Sequence, residues 1–151
     1  MIVINFKTYK QGREALGIAK KIEKADKNAI LCVEATDIYP ISKAVKNPVY
    51  AQHVVPLSSG RNTGFLIPEA VKAAGAKGTL LNHSEHKISI SDLRETISHC
   101  RRVGLKTVVF SSSLRETKKI MKMKPTAIAF EEPKLISTGK SITQHNPHVI
   151  A

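Results

Sequence analysis

The sequence predicts an α/β fold built on a parallel sheet, and three observations predict it. Short runs rich in β-branched residues alternate with amphipathic stretches along the chain, as strand–helix–strand units do. Polar residues gather just past the runs: Asn5 and Lys7, Asn82 and His83, Ser111 to Ser113, Glu131 and Glu132. Ligands of parallel α/β folds collect at the carboxyl ends of strands, so this placement fits. The 151 residues, 42% of them hydrophobic, suffice for one domain with its own core.

The elements follow in order. Ile2 to Ile4 reads as the first strand, and Ala15, Ile18, Ala19 and Ile22 recur behind it at helical spacing. Ile30 to Val33 is the second strand, with a weaker helix near Ile38 to Val45. Val49 to Ala51 is the third. A polar loop, Ser58 to Gly64, leads to a helix that starts near Pro68 and stops at Gly75. Thr79 to Leu81 is the fourth strand. Ser89 with Asp92 has capping-box spacing, and Leu93, Ile97 and Cys100 form the apolar stripe that follows. Lys106 to Phe110 is the fifth strand, Ser113 with Glu116 a second capping box, and Ala127 to Phe130 the sixth strand. Glu131 to Lys140 reads as a loop, and Asn146-Pro147 as the cap of one more helix.

Composition narrows the function classes. No apolar run approaches the roughly 18 residues of a membrane span, and Met1 to Lys10 lacks the pattern of a secretion signal. Cys32 and Cys100 are isolated, which suits a reducing compartment, so a cytoplasmic location is expected. The net charge of +12 admits nucleic acid or an anionic metabolite as partner. The basic residues are spread out, however, and no aromatic residue alternates with Lys118, Lys119, Lys122 and Lys124. A solvated basic surface, with no nucleic-acid partner, is therefore the reading.

Four motifs stand in one order: Asn5-Phe6-Lys7-Thr8-Tyr9, Tyr50-Ala51-Gln52-His53, Asn82-His83-Ser84-Glu85, and Phe130-Glu131 through Ser137-Thr138-Gly139. Together they resemble triosephosphate isomerase, in its shorter archaeal type, from end to end of the chain. The resemblance implies a TIM (β/α) barrel and interconversion of triose phosphates through an enediolate, with no cofactor and no metal. It implies that Glu131 is the general base, His83 a neutral imidazole that polarises the carbonyl, Lys7 the fixed cation and Asn5 a hydrogen-bond donor beside it. Glu85 matches a carboxylate near that lysine. Gly139 matches the backbone of a lid, Glu131 to Gly139, that meets the substrate phosphate. Thr63 matches a residue that reaches the neighbouring subunit in the family dimer. His53, His86, His99, His145 and His148 read as surface or structural residues; His145 and His148 as metal ligands is the weaker alternative.

The chain departs from the family pattern in places. Glu132 stands where the family has proline, and Ser137 where it has glycine. A complete barrel has about 250 residues and grips phosphate with loops after its last two strands. The expectation is therefore a single truncated (β/α) barrel domain over residues 1–151, with six parallel strands and an open side where part of the core faces water. Self-association, as a dimer or tetramer, is expected to cover that side. The alternative function is a catalytically silent barrel fragment, acting as an oligomeric scaffold or needing a complementing chain.

Overall fold

A computed structural model describes residues 1–132. The expectations that fall beyond them, on the lid from Pro133, on Ser137 and Gly139, and on His145, Asn146-Pro147 and His148, lie outside the described residues. Eleven elements alternate as the sequence predicts: β1 (Val3–Asn5), α1 (Gly12–Ala25), β2 (Ile30–Val33), α2 (Ala35–Ala44), β3 (Val49–Ala51), α3 (Pro68–Ala73), β4 (Gly78–Leu81), α4 (Ile90–Arg102), β5 (Lys106–Ser111), α5 (Leu114–Met121) and β6 (Ala127–Phe130). The strands form one sheet in sequence order, and every neighbouring pair is parallel. It is an arc of a barrel.

Both faces of the sheet are apolar, so the strands read as unbroken hydrophobic runs. Outward, Leu31, Val33, Val49, Leu81 and Val109 pack on helix residues such as Ala19, Ile41, Leu93, Ile97 and Ile120. Inward, Ile30, Cys32, Tyr50, Leu80 and Val108 form a second buried cluster. The curl of the sheet covers the inner side chains of β2 to β5 with one another. Cover is incomplete along β1 and β6, whose residues are only partly buried, and at Phe110 of β5.

Helix boundaries follow local chemistry. The Ser89 hydroxyl accepts from the Asp92 N–H at 3.0 Å, and the Ser113 hydroxyl from the Glu116 N–H at 3.1 Å, as N-caps do. The Glu116 carboxylate does not return to Ser113, as a capping box would have it; it accepts instead from the Ser112 N–H at 2.7 Å. After α3, the Gly75 N–H donates to the Lys72 carbonyl and the Ala76 N–H to Val71, the two bonds of a Schellman turn. Gly104 and Leu105 end α4 the same way, through Arg101 and Cys100. Both glycines have the positive φ this turn requires, +103° and +75°. Helix α2 begins earlier than its apolar pattern indicates, because Asp37 is buried in its first turn rather than exposed. Its two carboxylate oxygens each accept from the Gly12 N–H at 3.0 Å, tying α2 to the start of α1.

Candidate active site

The carboxyl ends of β1, β3, β4 and β6 bring the candidate residues together. Asn5 closes β1, and two residues later Lys7 takes a left-handed backbone with φ +48°. Lys7 therefore sits in a turn beyond the strand. Such a conformation costs a side-chain-bearing residue roughly 1–2 kcal/mol, so something must hold it. The Asn5 Oδ1 accepts from the Lys7 N–H at 3.0 Å, and the Gln52 amide donates to the Lys7 carbonyl at 2.8 Å. The turn aims the Lys7 ammonium at Glu85, with Nζ 2.7 Å from Oε1. That hydrogen bond raises the lysine's pKa and lowers the glutamate's, so both stay charged at neutral pH.

Past β4 the chain turns on Asn82, which is buried and also left-handed, φ +59°. Its amide donates to the Phe110 carbonyl at 2.9 Å and to the Glu116 Oε1 at 2.8 Å, while its Oδ1 accepts from the Ile88 N–H at 3.3 Å. Burial alone would raise the Glu116 pKa. Hydrogen bonds from Ser112 and Asn82, with Lys87 nearby, outweigh it and hold the carboxyl at about 2. This anchored turn carries His83. The His83 ring stands edge-on to Phe110, centroids 4.7 Å apart.

The His83 Nδ1 accepts from the Glu85 backbone N–H at 3.1 Å. An accepting Nδ1 carries no proton, so a neutral ring holds its proton on Nε2. That nitrogen lies 3.4 Å from the Glu131 Oε1. Glu131, just past β6, is held in turn by Ser84, whose N–H donates at 3.1 Å and whose hydroxyl donates at 3.3 Å. One mouth of the sheet thus joins a carboxylate, an Nε2–H donor and an ammonium. Such a set can accept a proton from carbon while donors face the oxygen on which charge develops.

Asn5, Lys7, His83 and Glu85 line a cavity of about 250 Å³, and Asn5, Lys7, His83 and Glu131 line a second of about 430 Å³ beside it. The structure therefore brings Asn5, Lys7, His83, Glu85 and Glu131 to one place. Gly139 lies outside the described residues. Thr63 is exposed in the loop before α3.

Sequence reading missed other lining residues. Gln52 and His53 border the first cavity, as does His86. His53 and His86 stack with centroids 4.0 Å apart at the border of that cavity. Burial, and then the neighbouring His86, lowers the His53 pKa to about 4. Their signal was available for Gln52 and His53, which follow β3 directly, as Asn82 and His83 follow β4. His86 had none, because stacking partners far apart in sequence leave no spacing to read. His99 is structural as expected: it is buried between α4 and α3, with Nε2 2.7 Å from the Glu69 carboxylate.

A family model described as triosephosphate isomerase matches residues 1–151. Relatives named triosephosphate isomerase include those of Sulfurisphaera tokodaii, 42% identical, and Saccharolobus solfataricus, 40% identical. Each alignment covers 99% of this chain, and respectively 68% and 69% of the relative. The relative from Methanocaldococcus jannaschii is 37% identical, with 71% of its length covered. Among solved structures, a triosephosphate isomerase from Bartonella henselae superposes with a TM-score of 0.76 over 85% of this chain and 66% of its own. At 21% identity that likeness concerns the fold alone. The chain spans about two thirds of the length of these proteins.

Proposed function

The chain belongs to the triosephosphate isomerase family, and on that premise we propose that it interconverts dihydroxyacetone phosphate and glyceraldehyde 3-phosphate. The Glu131 carboxylate takes a proton from the carbon beside the substrate carbonyl, giving an enediolate, and returns it to the neighbouring carbon. The His83 Nε2–H donates to the oxygens of the enediolate. The Lys7 ammonium, fixed by Glu85, stabilises the negative charge, with Asn5 holding the turn that presents it. Glu131 must leave its bonds to Ser84 to reach a substrate carbon, so binding and movement of this side chain are coupled.

One observation carries the reading: the Glu85 N–H occupies the His83 Nδ1 and so turns a neutral Nε2–H toward Glu131. A coupled assay on the purified chain tests it. Turnover is expected, and Glu131→Gln is expected to lower kcat by roughly 10²–10⁴-fold, the usual contribution of a positioned general base. No turnover by the chain would favour the silent scaffold. Turnover that Glu131→Gln leaves intact would belong to a contaminant.

The same reading extends to assembly. Phe65 is 59% exposed, two residues from Thr63 on one loop, and an exposed phenylalanine beside polar residues suits a docking surface. Among the described residues, β1 and β6 each pair on one side only. A symmetric homo-oligomer is therefore expected, and light scattering over a dilution series checks it. A cytoplasmic location fits Cys32 and Cys100, both buried and unpaired, with thiols pushed up to about 12 by burial. No helix among the described residues is long and apolar enough to cross a membrane.

A further inference from the structure

The amino ends of the same strands enclose a separate cavity of about 340 Å³. Lys72, Lys77 and Lys106 line it, with Asn28, Tyr50 and Gly104. No carboxylate is among its lining residues, and among the described residues neither Lys77 nor Lys106 forms an ion pair. Lys72 donates to the Gly104 carbonyl at 3.0 Å, which holds its ammonium at the rim between α3 and the start of β5. Three like charges around one hollow repel one another, and salt screens them only over about 8–10 Å. At the other mouth of the sheet, by contrast, Lys7 is paired to Glu85.

A second observation points to a ligand. Tyr50 is only 3% exposed, yet its hydroxyl makes no hydrogen bond among the described residues. Tyr50 lines the hollow, and its hydroxyl is a donor that no described residue occupies. The ring lies across Gly78, where any side chain would strike the ring atoms Cε2 and Cζ and the Lys106 carbonyl. Gly78 pairs in register with Tyr50 on one side and Lys106 on the other. The absent side chain at position 78 thus lets the tyrosine reach over β4 into the lysine-lined hollow. Burial, and then Cys32, raises the Tyr50 pKa, so the hydroxyl remains a donor at neutral pH.

We propose that this hollow is a second anion site, which takes the phosphate chain of a small polyphosphate on Lys77, Lys106 and the Tyr50 hydroxyl. A phosphate chain presents several acceptor oxygens and more than one negative charge, matching ammonium and hydroxyl donors that have no carboxylate to satisfy them. The site lies at the opposite end of the strands from the Glu131–His83 cluster. It stands independently of the isomerase reading.

Amide chemical shifts of the full chain, followed in physiological salt during titration with inorganic pyrophosphate, test the proposal. Saturable shifts are expected at Tyr50, Gly78 and Gly104. Lys77→Gln with Lys106→Gln should weaken that binding about tenfold or more. Tyr50→Phe, which keeps the buried ring, should weaken it about fivefold. Lys118→Gln with Lys119→Gln removes the same charge from α5 and should leave the affinity unchanged. A second titration with ATP separates sources: affinity equal to that of pyrophosphate means the phosphate chain alone is read, and tighter binding means the nucleoside adds contacts. Shifts spread over the whole basic surface, or equal weakening by both double variants, would overturn the site in favour of unspecific charge attraction. Shifts confined to Lys7 and His83 would overturn it too, and would place the anion in the other cavity.

Discussion

The two ends of the strands solve the same backbone problem differently. At the carboxyl ends, left-handed backbone falls on Lys7 and Asn82, whose side chains shape the candidate site. At the amino ends, the turns into β4 and β5 place it on Gly75 and Gly104, which have no Cβ to strain. Lys124, before β6, is the exception, and Gly12 and Gly64 serve loops on the carboxyl side. Left-handed turns at the site keep side chains because those side chains are used. The turns that only return the chain to the sheet use glycine. This is the division expected when loops at one end of a scaffold carry function and those at the other carry stability.

Substitutions that exchange the two solutions give the largest effects. Lys7→Gly should relieve the strained backbone while lowering kcat/KM by about 10²–10³-fold, the scale of losing one fixed electrostatic group. Assay and thermal melting on one preparation separate the two consequences. Unaltered activity with raised stability would break the link between strain and site.

The reverse exchange is Gly75→Ala. Its Cβ would meet the Ser42 side chain, and φ +103° disfavours alanine in any case. A loss of about 1–3 kcal/mol is expected in denaturant unfolding, with activity per folded molecule unchanged.

Two pH experiments sharpen the contrast further. Glu116 anchors the turn that carries His83, and its folded pKa of about 2 lies below the ordinary value of 4.5. A depressed carboxyl contributes stability that is full above 4.5 and is lost as pH falls toward about 2. The difference in unfolding free energy between the parent chain and Glu116→Gln should shrink through that window; a difference independent of pH would remove Glu116 from the argument. His53 runs the other way in charge. Its folded pKa of about 4 sits below 6.5, so the unfolded chain takes up the proton first and stability falls as pH drops from 6.5 toward about 4. His53→Asn should flatten that slope, and a slope that the substitution leaves unchanged would remove His53 from the argument.

Much of this was legible in the residues. Alternation of apolar runs and amphipathic stripes located all eleven described elements, because periodicity and caps are local and survive without tertiary context. Motifs past the strands named Asn5, Lys7, His83, Glu85 and Glu131, since parallel topology sends all strand ends one way and gathers whatever follows them. Helix α2 was read too short because Asp37, a charged residue, is buried against the Gly12 N–H from another helix. No window of sequence holds both partners.

The same limit separates what the sequence determined from what folding decided. By itself the sequence set the order and type of the elements and the chemistry available at each strand end. Only the tertiary structure decided that His83 Nε2 faces Glu131, that Ser84 holds Glu131, and that Asn82 is pinned to Glu116. It also decided that the sheet curls enough to bury Ile30, Cys32, Tyr50, Leu80 and Val108. Side-chain period and capping are set by neighbours along the chain. Long-range anchors, buried charge contacts and curvature are set by atoms that meet only after distant strands have paired.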